Sequence, residues 1–212
     1  MRKLPTGLML VFLYAAAGCS PRDFLTRRLA ADLIAGSDVF KAEQQFWLRT
    51  GVISNKDFLS PEYMVLQRRG WITGSSAPCA NNPVSGNVPR SRITAPADCW
   101  DVVLTPLGVD TLHDLIPNDA RTASSFSVLV ARRELVKITG ISKDGNVAEV
   151  DFLWKWVPLN EVGAALYGDG VQYNATVGFK HYDDGWRVLE SGAAPKAGQG
   201  LDDALKNTQP AQ

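Results

Sequence analysis

The chain has 212 residues, of which 45% are hydrophobic and 21% charged, and its 22 basic and 22 acidic side chains cancel to a formal net charge of zero. That length leaves room for one domain or two small ones, and the apolar content is enough to bury a core. The charge balance excludes nucleic-acid binding driven by bulk electrostatics.

Met1-Arg2-Lys3 forms a basic start, and Leu8 to Ala17 is an uncharged, largely apolar run. The stretch from Leu4 to Gly18 is broken at Pro5 and falls short of the ~20 residues a helix needs to span a bilayer. The pattern predicts an export signal over residues 1–18 rather than a permanent span. Ala16-Ala17-Gly18-Cys19 resembles the lipobox of bacterial lipoproteins, with Ala16 where that family most often carries Leu. The resemblance implies cleavage before Cys19, acylation of that residue with diacylglycerol, and a lipid-anchored linker over 19–23. Ser20, in place of Asp, resembles the outer-membrane sorting pattern of double-membraned bacteria and implies a periplasmic face. One acyl chain binds membranes only marginally, whereas the several chains of a lipoprotein anchor hold firmly. The competing reading is an ordinary signal peptide cut at an Ala-rich site near Cys19.

Loss of Arg2 and Lys3 would leave 20 basic against 22 acidic residues, a net charge of about −2. With Cys19 lipidated, Cys79 and Cys99 remain, and such a pair in an oxidising compartment reads as a disulfide. It would staple the Gly-, Ser-, Pro- and Asn-rich loop between Thr73 and Ala97. A metal site on Cys79, Cys99, His113 and His181 lacks the close-spaced ligand pairs of zinc sites, so no metal or cofactor is expected.

From Pro21 to Thr50 the pattern predicts two helices. Phe24, Leu25, Leu29, Leu33 and Ile34 make the apolar face of the first. After the break at Gly36-Ser37-Asp38, Val39, Phe40, Phe46 and Trp47 are assigned to the second, ending at Gly51. Ser60-Pro61-Glu62 combines a capping hydroxyl, a first-turn proline and an acid near the positive end of the dipole, predicting a helix from Pro61 to Arg69. Short strands are expected at 71–73 and 100–104, and Thr105-Pro106 starts another helix carrying Leu107, Val109, Leu112, Leu115 and Ile116.

Val65 to Ile72, together with Val102 to Gly108, resembles the recognition-helix end, wing and following helix of winged-helix domains over residues 40–116. In a DNA-binding relative Arg68 and Arg69 would be candidates for phosphate contact. An exported chain meets no operator, so the resemblance implies a packing or protein-binding module and no nucleic-acid partner.

Beyond a polar connection at 117–124 the period becomes alternating. Phe126 to Thr139 reads as a long strand, and Ser142 to Asn146 as a turn. Ala148, Val150, Phe152, Trp154 and Trp156 then alternate with polar residues as a half-buried strand. Leu159 to Tyr167 forms a helical turn or ordered loop. A further strand carries Tyr173, Ala175, Val177 and Phe179, and Asp183-Asp184-Gly185 turns the chain into Trp186 to Leu189. Residues 191–212, rich in Gly, Ala, Pro and Gln, read as a disordered tail. Tyr182 to Val188 resembles the end of nuclear-transport-factor-2-like proteins, which implies a cone-shaped α+β domain with a pocket between sheet and helices.

Candidate chemistry is sparse. His181 sits at a strand end beside Asp183 and Asp184, where a structural hydrogen bond competes with an acid/base role. His113 and Asp114 are adjacent on a predicted helix and should diverge. No nucleophile elbow or phosphate-cradling glycine loop occurs. Trp154 and Trp156, with Tyr173, Phe179 and His181, are the candidate lining of a ligand pocket, core packing being the alternative. The sequence therefore predicts an α+β fold: a helical, winged-helix-like N-terminal half over 24–117 with one disulfide, then a four-stranded antiparallel meander over 118–190. The expected function is a membrane-anchored envelope lipoprotein that binds or scaffolds without catalysis, its partner an envelope protein or small ligand. The rival is a small pocket enzyme or ligand binder using His181 or Asp151.

Overall fold

The computed structural model describes residues 24–79, 98–115, 125–194 and 198–211. The segment 1–18 read as an export signal, Cys19, the connection at 117–124 and most of the Cys79–Cys99 loop lie outside them.

The helical first half does not form. Among the described residues strand exceeds helix, 48% to 30%, and the dominant feature is a large antiparallel sheet. Helices are α1 (Arg27–Gly36), α2 (Asp38–Lys41), α3 (Asn55–Phe58), α4 (Pro61–Arg68), α5 (Pro106–Leu112), α6 (Glu161–Tyr167) and α7 (Leu201–Lys206). Strands are β1 (Gln44–Arg49), β2 (Gly51–Ser54), β3 (Ile72–Pro78), β4 (Asp98–Leu104), β5 (Ser125–Asp144), β6 (Val147–Pro158), β7 (Gln172–Tyr182), β8 (Gly185–Val188), β9 (Ala193–Ala194), β10 (Gly198–Gln199) and β11 (Gln209–Pro210). The strand order is β1-β5-β6-β7-β11 with β8 on β7, so the expected run of four strands is part of a six-stranded sheet. A second sheet has the order β2-β4-β3.

The chain divides into two compact units, each built from segments that are separate in sequence. One compact unit takes residues up to Lys41 with Leu135–Trp154 and Gln172–Gln212, and the other takes Ala42–Glu134 with Lys155–Val171.

In the unit built on 42–134 and 155–171, the residues read as the end of a second helix instead make β1. Phe46 and Leu48 turn toward the core while Gln45, Trp47 and Arg49 face out, an alternation of period two. Leu48 pairs with Phe126 and Trp47 with Ser127 on β5. Six residues of alternation are outweighed locally by helix-favouring Gln, Leu and Arg, and only the partner strand decides the outcome. The core gathers Leu48, Leu66, Val102, Leu112, Val130 and Val162, all 2% exposed or less. Each such side chain contributes roughly 1.5–3 kcal/mol by leaving water.

The caps fall where the sequence places them. Ser60 Oγ accepts from the Tyr63 N–H, with Pro61 and Glu62 in the first turn of α4. Gly70, at φ 72°, ends that helix in a conformation few other residues adopt. Thr105 Oγ1 accepts from the Gly108 N–H and opens α5. Asn160 caps α6 by accepting from the Gly163 N–H at 2.9 Å, and its amide donates to the Leu129 carbonyl at 2.6 Å. A Cβ at residue 163 would fall on the Val130 carbonyl, so only glycine lets α6 lie this close to β5.

In the other unit, Thr26 caps α1, and the buried Ser37 hydroxyl donates to the Ile34 carbonyl while accepting from the Phe40 N–H. Ala30, Ile34, Val150, Phe152, Val177 and Phe179 form its interior, with Phe40 edge-on to Phe152 at 6.5 Å. The tail from Ser191 onward does not behave as predicted. Gly198 and Gln199 pair with Ala194 and Ala193, Pro210 pairs with Tyr173, and α7 buries Leu201, Ala204 and Leu205. Those three apolar side chains at i, i+3 and i+4 give the segment a reason to dock despite its Gly- and Ala-rich surroundings.

Candidate functional site

The unit containing β1 carries a cleft of about 250 Å³ beside the sheet edge. β1 supplies Gln44, Gln45, Phe46, Trp47 and Arg49; the α3–α4 segment supplies Asp57, Ser60, Glu62 and Tyr63; α6 ends in it with Tyr167. β1 has β5 on one side and is an edge strand of its sheet among the described residues.

Tyr63 ties that edge to α4. Its hydroxyl accepts from the Arg49 N–H at 2.7 Å and donates to the Arg49 carbonyl at 3.0 Å, closing both backbone groups that Arg49 would otherwise leave open. Burial pushes the Tyr63 phenol above its ordinary value of 10.0, opposed by the hydrogen bond from the Arg49 backbone, so the hydroxyl is neutral at physiological pH. Its ring is tilted against Phe46 at 6.1 Å.

The charges are unevenly partnered. Arg49 Nη1 donates to Asp57 Oδ2 at 3.4 Å, and both side chains are about half exposed, so the pair neutralises itself without adding much stability. Glu62 is half-buried and makes no hydrogen bond or ion pair among the described residues. Trp47 is 58% exposed. Polar and aromatic residues thus line the cleft together, and the Glu62 carboxylate has no partner among the described residues. Ser60 is committed to its cap, and no His or Cys lines the cleft among the described residues.

The residues singled out from the sequence lie elsewhere. Cys79 and Cys99 are bridged, with Cα atoms 5.2 Å apart, and the bridge joins the ends of β3 and β4. Trp154 is buried and stacked on Tyr173 at 4.9 Å, and Phe179 is completely buried. Trp156 is half-buried, tilted against Tyr167 at 5.5 Å with the Arg133 guanidinium 4.7 Å from its ring. His181 lies edge-on to Trp186 at 5.0 Å. These contacts are packing, and none of the five candidate pocket residues lines the cleft on β1.

Asp151 accepts from the Thr176 hydroxyl at 2.6 Å, and Asp184 is paired with Arg187, whose hydrogen bond holds its carboxyl below the ordinary range. His113 and Asp114 do meet, with His113 Nδ1 3.0 Å from Asp114 Oδ1 just past the end of α5 at Leu112, and both are exposed. Among the described residues no three His, Cys, Asp or Glu side chains gather as a metal site, and no helix is long and apolar enough to cross a membrane.

The start of α4 is legible in the sequence but the cleft is not, because a helical reading of Phe46 and Trp47 hides β1. The one available signal was the alternation of Phe46 and Leu48 against Gln45, Trp47 and Arg49. Comparison with family models, with curated proteins and with solved structures finds no match to the chain.

Proposed function

We propose that this chain is a lipid-anchored protein of a bacterial cell envelope that acts by binding or scaffolding rather than by catalysis. The Cys79–Cys99 bridge carries the reading, since such bonds persist in oxidising compartments and not in a reducing cytosol. The basic start, short apolar run and Cys19 supply the export signal and the anchor. Ser20 directs the anchored chain to the outer membrane, facing the periplasm. The cleft on β1 supports binding: aromatic and polar side chains line it, and among the described residues it holds no nucleophile paired with a base. The rival pocket enzyme gains no support from Trp154, His181 or Asp151, whose side chains are occupied by packing or hydrogen bonds.

Fatty-acid labelling with membrane fractionation, in the native chain and in Cys19→Ser, tests the anchor. Label and membrane retention are expected in the first and absent from the second. An unlabelled, soluble, uncleaved chain overturns the reading. Trapping thiols at lysis tests the compartment independently: Cys79 and Cys99 should resist alkylation until reduced.

A further inference from the structure

We infer that the surface where α1 begins docks on an anionic phospholipid layer through Phe24, Arg27, Arg28 and Lys143, so that anchor and patch together fix one orientation of this unit on the membrane. All four residues belong to the same compact unit. The inference rests on the anchored reading and deepens it.

Reach comes first. Residues 20–23 alone separate Cys19 from Phe24, and five steps of fully extended chain cover at most about 18 Å. An acylated Cys19 therefore holds the start of α1 close to the headgroups. Arg22 and Asp23 cancel, so the link carries no net charge of its own.

The patch is built from two elements. Phe24 is 59% exposed, and Lys143 on β5 brings its Nζ to 5.9 Å from that ring and 5.1 Å from the ring of Trp186. Arg27 donates to the Thr139 carbonyl at 3.5 Å, so the chain from Phe24 to Arg27 runs beside β5, and the remaining donors of its guanidinium meet no partner among the described residues. Arg27 and Arg28 are the first two residues of α1. Cα–Cβ bonds in a helix tilt toward its N-terminus, so both exposed side chains lean toward the end from which the tether leaves.

The fold does not account for these charges. Cations in a first turn oppose the helix dipole, and α4, α6 and α7 each carry an acid there instead. An anionic layer beyond that end turns the cost into an attraction. Neighbouring acids do not cancel the patch. Arg28 stands 4.0 Å from Asp32 with both side chains largely exposed, a contact that holds neither. Asp144 follows Lys143 in β5 and so points to the opposite face. Asp183 and Asp184 are balanced by Lys180 and Arg187, the last of them paired with Asp184. Each cation brought to an anionic leaflet favours the docked state by about fivefold. Phe24 adds an apolar ring at the boundary of headgroups and acyl chains. Because the tether already holds the patch nearby, an attraction too weak to recruit a free protein is sufficient.

The test places the full acylated chain in nanodiscs of phosphatidylcholine alone or with about 30% phosphatidylglycerol, each doped with a gadolinium-chelating headgroup lipid. The anchor is the same in both, so amide broadening that depends on lipid charge reports docking alone. The amides of Arg27, Arg28 and Lys143 should broaden at least about threefold more in the anionic discs, and about 0.5 M NaCl should remove the difference. Combined substitution Arg27→Gln, Arg28→Gln and Lys143→Gln should abolish it with acylation and circular dichroism unchanged. Lys56→Gln, at an exposed lysine of the other unit, should leave it intact. Equal broadening of the unaltered chain in the two discs overturns the proposal without recourse to variants, and so does a difference that survives salt or the combined substitution, or one that is lost in Lys56→Gln; in each case the anchor stands. A mass showing no acyl group on Cys19 overturns anchor and docking together, which separates the two failures.

Discussion

Replacing Tyr63 by Phe removes one oxygen atom and leaves the ring, which is 5% exposed, in place. Apolar burial is therefore unchanged, and the whole effect falls on the two hydrogen bonds with the Arg49 backbone. Each is worth ~0.5–1.5 kcal/mol net, and water reaching the open edge recovers part of the loss, so the expected cost is about 1–2 kcal/mol. Urea unfolding should show a lower midpoint at unchanged slope, and the Arg49 amide should exchange faster with solvent. The same substitution carries a pH signature. The folded phenol ionises above 10.0, so its contribution is fully present below that pH and is lost as pH rises through the raised folded value. The deficit of Tyr63→Phe relative to the unaltered chain should therefore shrink above about pH 10. A loss below about 0.3 kcal/mol, with unaltered Arg49 exchange, would refute the claim that this hydroxyl closes the end of β1.

The Cys79–Cys99 bridge spans 20 residues, and the chain-entropy estimate for that loop is about 3 kcal/mol. Replacing both cysteines by serine should lower the urea midpoint and abolish its response to reductant; a chain whose midpoint ignores both changes would show that the bridge restrains nothing. Leu201 is completely buried, so Leu201→Ala should cost about 2–5 kcal/mol, read by thermal or urea unfolding. Stability unchanged by that substitution would mean that α7 does not dock.

Much of the local structure is written in single residues. Ser60-Pro61-Glu62 and Thr105-Pro106 set the starts of α4 and α5 because a capping oxygen and a fixed φ act within one turn of chain. Gly145, at φ 61°, turns β5 into β6, and the alternation from Ala148 to Trp154 shows which face of β6 is buried. In the segment from Gln44 to Arg49 the helical and strand signals differ by little over six residues, so local sequence does not decide between them. In the tail, Leu201, Ala204 and Leu205 carried a helical spacing that the surrounding composition concealed.

The same division runs through the site. Capping oxygens, turn glycines, strand alternation and the pair of cysteines act within a few residues or by simple count, and these were determined by the sequence alone. Partner choice is different: β1 beside β5, β11 beside β7, and the two-bond clasp of Tyr63 on Arg49 each join segments far apart in the chain or rest on one that is. Hydrogen bonds between strands are chemically alike for almost any pair of sequences, so what selects one pairing is the burial it permits on the completed sheet. The cleft exists only once that selection has brought Phe46, Glu62 and Tyr167 to one edge, and the tertiary structure alone decided it.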